Sequence, residues 1–229
     1  MPQPPPPPIR LTPAQEAALA RVRFAFEAPA GIVLLCGPAG AGTTLLLAEL
    51  ARSLDTRGDN APGSRWIRSV PEVVAAARAG TPLPDILLVD EVHHAAAGEL
   101  AVVAGSLAGG AGDKAGMGLR PRCIVLAGRG RLLTLVARDS QIATRVRLRA
   151  IVPPFTLDDT CRFVIDRLTG LDGAGPEEGV VRTIHEITGG IPAALERLVA
   201  LAAATTGSGR RLSVEDVETI HRRLDPRAV

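Results

Sequence analysis

Gly37-Pro38-Ala39-Gly40-Ala41-Gly42-Thr43-Thr44 is the stretch whose reading decides the fold. It follows an apolar run, Gly31-Ile32-Val33-Leu34-Leu35-Cys36, and precedes a helix-forming run, Leu45-Leu46-Leu47-Ala48-Glu49-Leu50-Ala51. Strand, glycine turn and helix form the setting of a phosphate-binding P-loop, G-x-x-x-x-G-K-[ST]. Gly37, Gly42 and Thr44 satisfy that pattern, but Thr43 stands in the lysine position.

Most of the loop's chemistry does not need the lysine. Glycines let successive backbone N–H groups turn inward around phosphate oxygens. The helix that follows points free N–H groups and a partial positive charge at the same anion. The Thr44 hydroxyl is placed to ligate Mg²⁺. A lysine would add a charge-assisted hydrogen bond of about 1.5–3 kcal/mol to the outer phosphates. Its absence predicts binding weaker by about 10- to 150-fold. It also predicts a rate lower by about 10²–10³, the usual loss for one missing transition-state donor. The bland alternative is a glycine-rich turn that holds no ligand.

Asp85-Ile86-Leu87-Leu88-Val89-Asp90-Glu91 is the second informative stretch. A buried strand ending in two carboxylates downstream of a P-loop resembles a Walker B motif. Asp90 would hold Mg²⁺ through water, and Glu91 would orient or deprotonate the attacking water. The alternative is an acidic helix start, where carboxylates are also stabilised. His93 and His94 follow without the further ligands a metal site needs. They read as polar groups near the pocket, His93 the better placed, or as plain surface residues.

Outward from these two stretches the chain divides into three parts. Residues 1–10 form a Pro-rich tail, extended and solvated. Residues 11–152 read as an α/β core and residues 153–229 as a small all-helical domain. In the core, Thr12 caps a helix with Pro13 at its first position and Gln15 reaching back; Leu19, Val22 and Phe26 share a face. Residues 55–64 read as a loop, Arg65–Arg68 as a short strand and Pro71–Ala79 as a helix. A helix over Ala96–Leu107 is followed by a glycine-rich loop over Gly109–Gly118. Cys123–Ala127 is a buried strand ending at Gly128-Arg129, then comes a short helix over Leu132–Ala137. Arg145–Ala150 alternates strictly, giving a strand with one arginine face. Pro153-Pro154 marks the boundary. Beyond it helices are expected near 157–169, 177–188, 192–204 and 214–224, with Thr156 and Ser213 as caps.

The totals narrow the function classes. The chain of 229 residues is 46% hydrophobic but only 2% aromatic, so its core is built from Leu, Val, Ile and Ala. A net charge of +2 leaves no electrostatic footprint for nucleic acid. Lys114 is the only lysine among 26 lysines and arginines. A GC-rich genome explains that bias without explaining Thr43, where arginine is the expected drift. Cys36, Cys123 and Cys161 lack metal spacing and read as buried apolar residues in a reducing compartment. With no signal peptide and no apolar run of about 18 residues, a cytoplasmic protein is expected.

Taken together, six segments resemble the AAA+ ATPases, nearest to the ExeA/GspA type and its transposition cousins TniB, TnsC and MuB. They are LTPAQEAALARV, GPAGAGTTLLLAEL, ILLVDEVHH, IVLAGRGRLLTLVA, FTLDDTCRFVIDRL and ITGGIPAALERL, in order over about residues 11–224. The resemblance implies a P-loop core with a parallel sheet and a helical lid, binding ATP or ADP with Mg²⁺. By it, Gly37, Pro38, Ala39, Gly40, Ala41, Gly42, Thr43 and Thr44 wrap the phosphates, with Thr44 and Asp90 on the metal. Glu91 handles water, and Arg129 occupies the sensor position after the fourth strand. Arg145 matches an arginine that reaches a neighbouring subunit's nucleotide; otherwise it is a solvated strand residue. Three departures stand out. Thr43 replaces the lysine, and Ala193 stands where the family's lid carries a phosphate-sensing arginine. The stretch between the P-loop helix and the Asp90 strand is short, so a strand–helix unit is expected to be reduced. Arg197, one turn past Ala193, is a candidate to reach back.

Four readings remain open on the sequence. The first is a nucleotide-responsive assembly or regulatory subunit, homo- or hetero-oligomeric, that hydrolyses ATP weakly or not at all. The second is a working ATPase whose cation comes from another residue or subunit. The third is an ATP-dependent DNA-binding accessory, supported by the Arg145/Arg147/Arg149 face. The fourth is a remnant with an empty loop.

Overall fold

The computed structural model describes residues 11–55, 67–107, 120–172, 176–206 and 211–224. The Pro-rich tail, most of the 55–64 loop, Arg65, Trp66, the Gly109–Gly118 loop and Lys114 lie outside the described residues.

Hydrophobic alternation sets the layers. β1 (Gly31–Cys36) is buried along its whole length. Its Ile32, Leu34 and Cys36 face one core, while Val33 and Leu35 face another. β3 (Ile86–Asp90) and β4 (Cys123–Gly128) split in the same way, with Leu87, Val89, Ile124 and Leu126 on the first side. Ile86, Leu88, Val125 and Ala127 lie on the second. Apolar residues on both faces are what a parallel sheet between two helical layers demands.

The first side is covered by α3 (Val70–Arg78), α4 (Ala97–Gly105), α5 (Arg131–Ala137) and α6 (Ser140–Ala143). The second is covered by α1 (Pro13–Ala25) and α2 (Thr43–Asp55). With β2 (Ile67–Ser69) and β5 (Val146–Ile151), the five strands run in the order β2-β3-β4-β1-β5, all pairs parallel. The strand–helix unit β2–α3 is therefore present, although β2 is only three residues long.

α1 starts as its sequence predicts. Thr12 Oγ1 accepts from the Gln15 N–H at 3.3 Å, and Gln15 Oε1 accepts from the Thr12 N–H at 3.1 Å. α6 was not visible in the sequence. It is four residues long and is nucleated by Asp139, whose carboxylate accepts from the Gln141 and Ile142 N–H groups.

After β5 the chain is helical: α7 (Leu157–Asp172), α8 (Glu178–Thr188), α9 (Pro192–Thr206) and α10 (Val214–Leu224). Val164, Val180, Ile184, Leu195, Leu198 and Val217 gather into a core of their own. The Thr156 and Ser213 hydroxyls cap α7 and α10, accepting from Asp159 and Asp216 N–H at 3.1 and 3.2 Å. No helix among the described residues is long and apolar enough to cross a membrane. The buried cysteines are inert: desolvation pushes the Cys36 thiol up to about 11 and the Cys123 thiol to about 12.

Candidate functional site

The sheet order places β1 between β4 and β5, with β3 beyond β4. Register aligns Cys36 with Gly128 and Val89 with Leu126. The loops leaving β1, β3 and β4 therefore emerge side by side at the carboxyl edge of the sheet, where open α/β folds bind ligands. They enclose a cavity of about 300 Å³. Pro38, Gly40, Gly42, Thr43, Thr44 and Leu45 line one wall. Asp90, Glu91, His93, Gly128 and Arg129 line the facing wall, and Ala193 at the start of α9 closes the rim.

The loop's backbone is shaped as the motif requires. Gly40 and Gly42 adopt φ of 79° and 95°, a region where side chains are strained. Ala41 N–H donates to the Pro38 carbonyl at 3.1 Å, and the buried Gln15 Nε2 donates to the Ala41 carbonyl at 3.3 Å. Among the described residues, the N–H groups of Gly40, Gly42, Thr43 and Thr44 meet no acceptor. These orphan donors, at the mouth of α2, fit a phosphate chain. Gly37 and Ala41 are tied into the fold. Gly37 N–H continues the sheet ladder to the Gly128 carbonyl at 3.3 Å, and Ala41 is 1% exposed. Neither these two nor Ala39 lines the cavity.

On the facing wall, Asp90 Oδ1 accepts from the Glu91 N–H at 2.7 Å, which leaves its second oxygen free of that bond. Glu91 sits at φ 51°, ψ 30°, the only non-glycine residue at positive φ among those described. Strain of this kind concentrates at functional sites. It sets an exposed glutamate in the cavity lining, just ahead of the tight helical turn Val92–His94. Replacing Glu91 with glycine removes the left-handed penalty of about 1–2 kcal/mol and returns part of it as backbone entropy. The expected outcome of Glu91→Gly is a gain of about 1 kcal/mol, or roughly 2–4 °C in Tm by calorimetry. A lower Tm would mean that the Glu91 side chain stabilises the fold.

The hard oxygen donors Thr44 and Asp90 suit Mg²⁺, which keeps most of its shell as water and substrate oxygens. Among the described residues no group of three His, Cys, Asp or Glu could hold a metal unaided. A divalent ion here would therefore be shared with phosphate oxygens. Arg129 is the one guanidinium on the cavity wall among the described residues; Arg197 is exposed and does not line it. Arg145 also lies outside the lining. Its Nη1 donates to the Ala104 carbonyl at 3.0 Å, at the C-terminal end of α4, where a cation is favoured.

Two features of the site were weakly signalled or absent in the sequence. The first is direct contact between α9 and the P-loop: Ala193 N–H donates to the Gly40 carbonyl at 3.2 Å. The resemblance implies an arginine at position 193, and no local pattern announces this main-chain bond. The second is the burial of His93, which is only 7% exposed. Neither Nδ1 nor Nε2 has a hydrogen-bond partner among the described residues. Leaving such a group unsatisfied costs about 1–3 kcal/mol and asks for an explanation. Desolvation, then His94 and Arg129, hold its pKa below the ordinary histidine value, against Glu91 and Asp90.

Solved structures share this architecture. The RuvB Holliday junction branch migration motor of Thermotoga maritima superposes with a TM-score of 0.65 at 17% identity, covering 92% of this chain and 68% of that one. Domain III of the Thermotoga maritima replication initiation protein DnaA gives 0.59 at 13% identity, covering 93% and 92%. The ADP form of the Aeropyrum pernix ORC2 protein gives 0.53 at 13% identity, covering 94% and 69%. The likeness shows the fold: an AAA+ P-loop α/β core with a helical C-terminal region. No protein-family model matches the chain, and no curated protein does. The narrower ExeA/GspA-type likeness rests on the sequence segments alone.

Proposed function

We propose that this chain is a nucleotide-responsive AAA+ subunit that binds ATP or ADP with Mg²⁺ and hydrolyses ATP weakly or not at all. The observation that carries the reading is a cavity lined by Gly40, Gly42, Thr43 and Thr44, whose N–H groups meet no acceptor among the described residues, together with Asp90 and Glu91. The loop amides and the start of α2 hold the phosphates. Thr44 and Asp90 hold the metal, which when bound neutralises charge on the phosphates. Glu91 orients or deprotonates the attacking water. The wall supplies Asp90 and Glu91 against Arg129 alone, so little positive charge meets the charge that develops during transfer.

The contact between Ala193 and Gly40 supports a regulatory role for residues 153–229 as a lid. A change in the P-loop on binding is felt at once by the first turn of α9. In this reading partner subunits, homo- or hetero-oligomeric, read out that coupling. A second reading, an active ATPase completed by another cation, is favoured by Arg129 on the wall. Arg145 is its candidate for supply in trans. The DNA-binding reading retains the exposed Arg147 and Arg149 on edge strand β5.

Phosphate release from the purified protein with Mg·ATP separates the first two. The expected turnover lies below about 1 s⁻¹, the low end for enzymes, and does not change with protein concentration. Faster turnover that rises with concentration and vanishes in Arg145→Ala selects the second.

A further inference from the structure

Gln15, His93, Thr160 and Thr188 are the buried polar side chains among the described residues. Thr188 Oγ1 donates to the Ile184 carbonyl of its own helix at 2.7 Å, and Thr160 Oγ1 pairs with His185 Nδ1 at 2.8 Å inside the helical region. Gln15 differs from both: its amide reaches from α1 into the P-loop. It is 2% exposed and does not line the cavity. Oε1 accepts from the Thr12 N–H at 3.1 Å, and Nε2 donates to the Ala41 carbonyl at 3.3 Å. A Cβ added to Gly42 would lie 3.2 Å from Nε2, so the amide rests directly on that glycine. The helix start uses only the bond to Thr12. The bond to Ala41 plays no part in capping.

That second bond fixes a peptide plane. No described peptide bond is cis, so the Ala41 carbonyl and the Gly42 N–H, which share one peptide unit, point in opposite directions. A carbonyl held against Gln15, outside the cavity lining, turns the Gly42 N–H the other way. Gly42 does line the cavity, and its N–H meets no acceptor among the described residues. At φ 95° Gly42 uses the freedom of a residue without Cβ, so the loop alone does little to keep this plane from flipping. We propose that Gln15 is a positioning residue of the P-loop: by holding the Ala41 carbonyl it presents the Gly42 amide to a nucleotide phosphate. A flipped plane would turn a carbonyl oxygen toward the phosphate and replace attraction by repulsion. This inference rests on the nucleotide reading above, and the test keeps the two apart.

The test titrates Mg·ADP into wild type, Gln15→Met, Gln15→Leu and Thr12→Ala, and follows the Gly42 amide in nitrogen–proton correlation spectra. Thr12→Ala is the matched control. It removes one bond of the reciprocal cap, as the Gln15 variants remove the other, but leaves the donor to Ala41 in place. Both Gln15 variants should lose about tenfold in affinity, the loss typical of one hydrogen bond to a charged group, and Thr12→Ala under about threefold. The Gly42 proton should move downfield on binding in wild type and Thr12→Ala, as a proton donated to phosphate does, and lose most of that shift in the Gln15 variants. Unchanged affinity in the Gln15 variants, an equal loss in Thr12→Ala, or a Gly42 shift kept in full each overturns the proposal while leaving the nucleotide reading intact. Wild type that binds no Mg·ADP overturns both. Failure of both Gln15 variants to fold also overturns the proposal, since it shows that the amide serves the fold.

Discussion

Thr43→Lys is expected to tighten Mg·ATP binding by about 10- to 150-fold and to raise phosphate release by up to about 10²–10³. Position 43 opens α2 and lines the cavity, half-buried, with its N–H among the unpaired donors. A lysine there carries its charge on a flexible stem along the cavity wall toward Asp90 and Glu91. A charge-assisted bond to the outer phosphate then adds to a main-chain cradle that already exists. Calorimetric titration of the variant against wild type reads the first effect, and coupled phosphate release the second. A rise in binding without a rise in turnover would place the deficit elsewhere in the site, with Ala193 at the start of α9 the next position to test. No change in either would mean that this cavity is not organised around phosphates.

Gly40→Ala is expected to damage both the fold and the site. Gly40 sits at φ 79°, where an L side chain is strained by about 1–2 kcal/mol. An added Cβ would lie 2.8 Å from the Ala193 Cβ and 3.1 Å from Ile191 Cγ2. Overpacking of that kind adds about 1–3 kcal/mol. Relief requires the P-loop to flatten or α9 to lift, and either breaks the bond from Ala193 N–H to the Gly40 carbonyl. The expected total of about 2–5 kcal/mol corresponds to roughly 5–15 °C in Tm, with nucleotide affinity lost in parallel. Adding Ala193→Gly removes the tighter clash and should restore part of the stability but not the backbone strain. A double-mutant cycle by calorimetric unfolding measures that share. Simple additivity of the two substitutions would show that the loop and α9 are not coupled.

The layout of the fold was legible because its signals are local. Buried strands at Gly31–Cys36 and Ile86–Asp90 announce themselves as apolar runs, and the four C-terminal helices carry caps and periodicity. What escaped depends on contacts distant in sequence or on backbone geometry. α6 is too short for a periodic pattern, and its cap, Asp139, reads equally well as a loop residue. The left-handed Glu91 follows from how β3 must turn into Val92–His94, and glutamate is not a residue that advertises positive φ. Within the P-loop, motif spacing located the donors but could not separate cradle from scaffold. Gly37 pairs with the sheet and the Ala41 carbonyl accepts from Gln15, and neither residue lines the cavity. His93 was seen as the better placed histidine, but its burial is set by Gly128 and Arg131, on another strand and helix.

The account rests on a cradle of main-chain N–H groups that holds a nucleotide's phosphates without an ammonium group. Isothermal titration of the wild-type protein with Mg·ATP, carried to millimolar concentration, measures this most directly. The account predicts saturable one-site binding, weakened but intact when Mg²⁺ is chelated. Absence of any binding heat or thermal stabilisation at that concentration would contradict it.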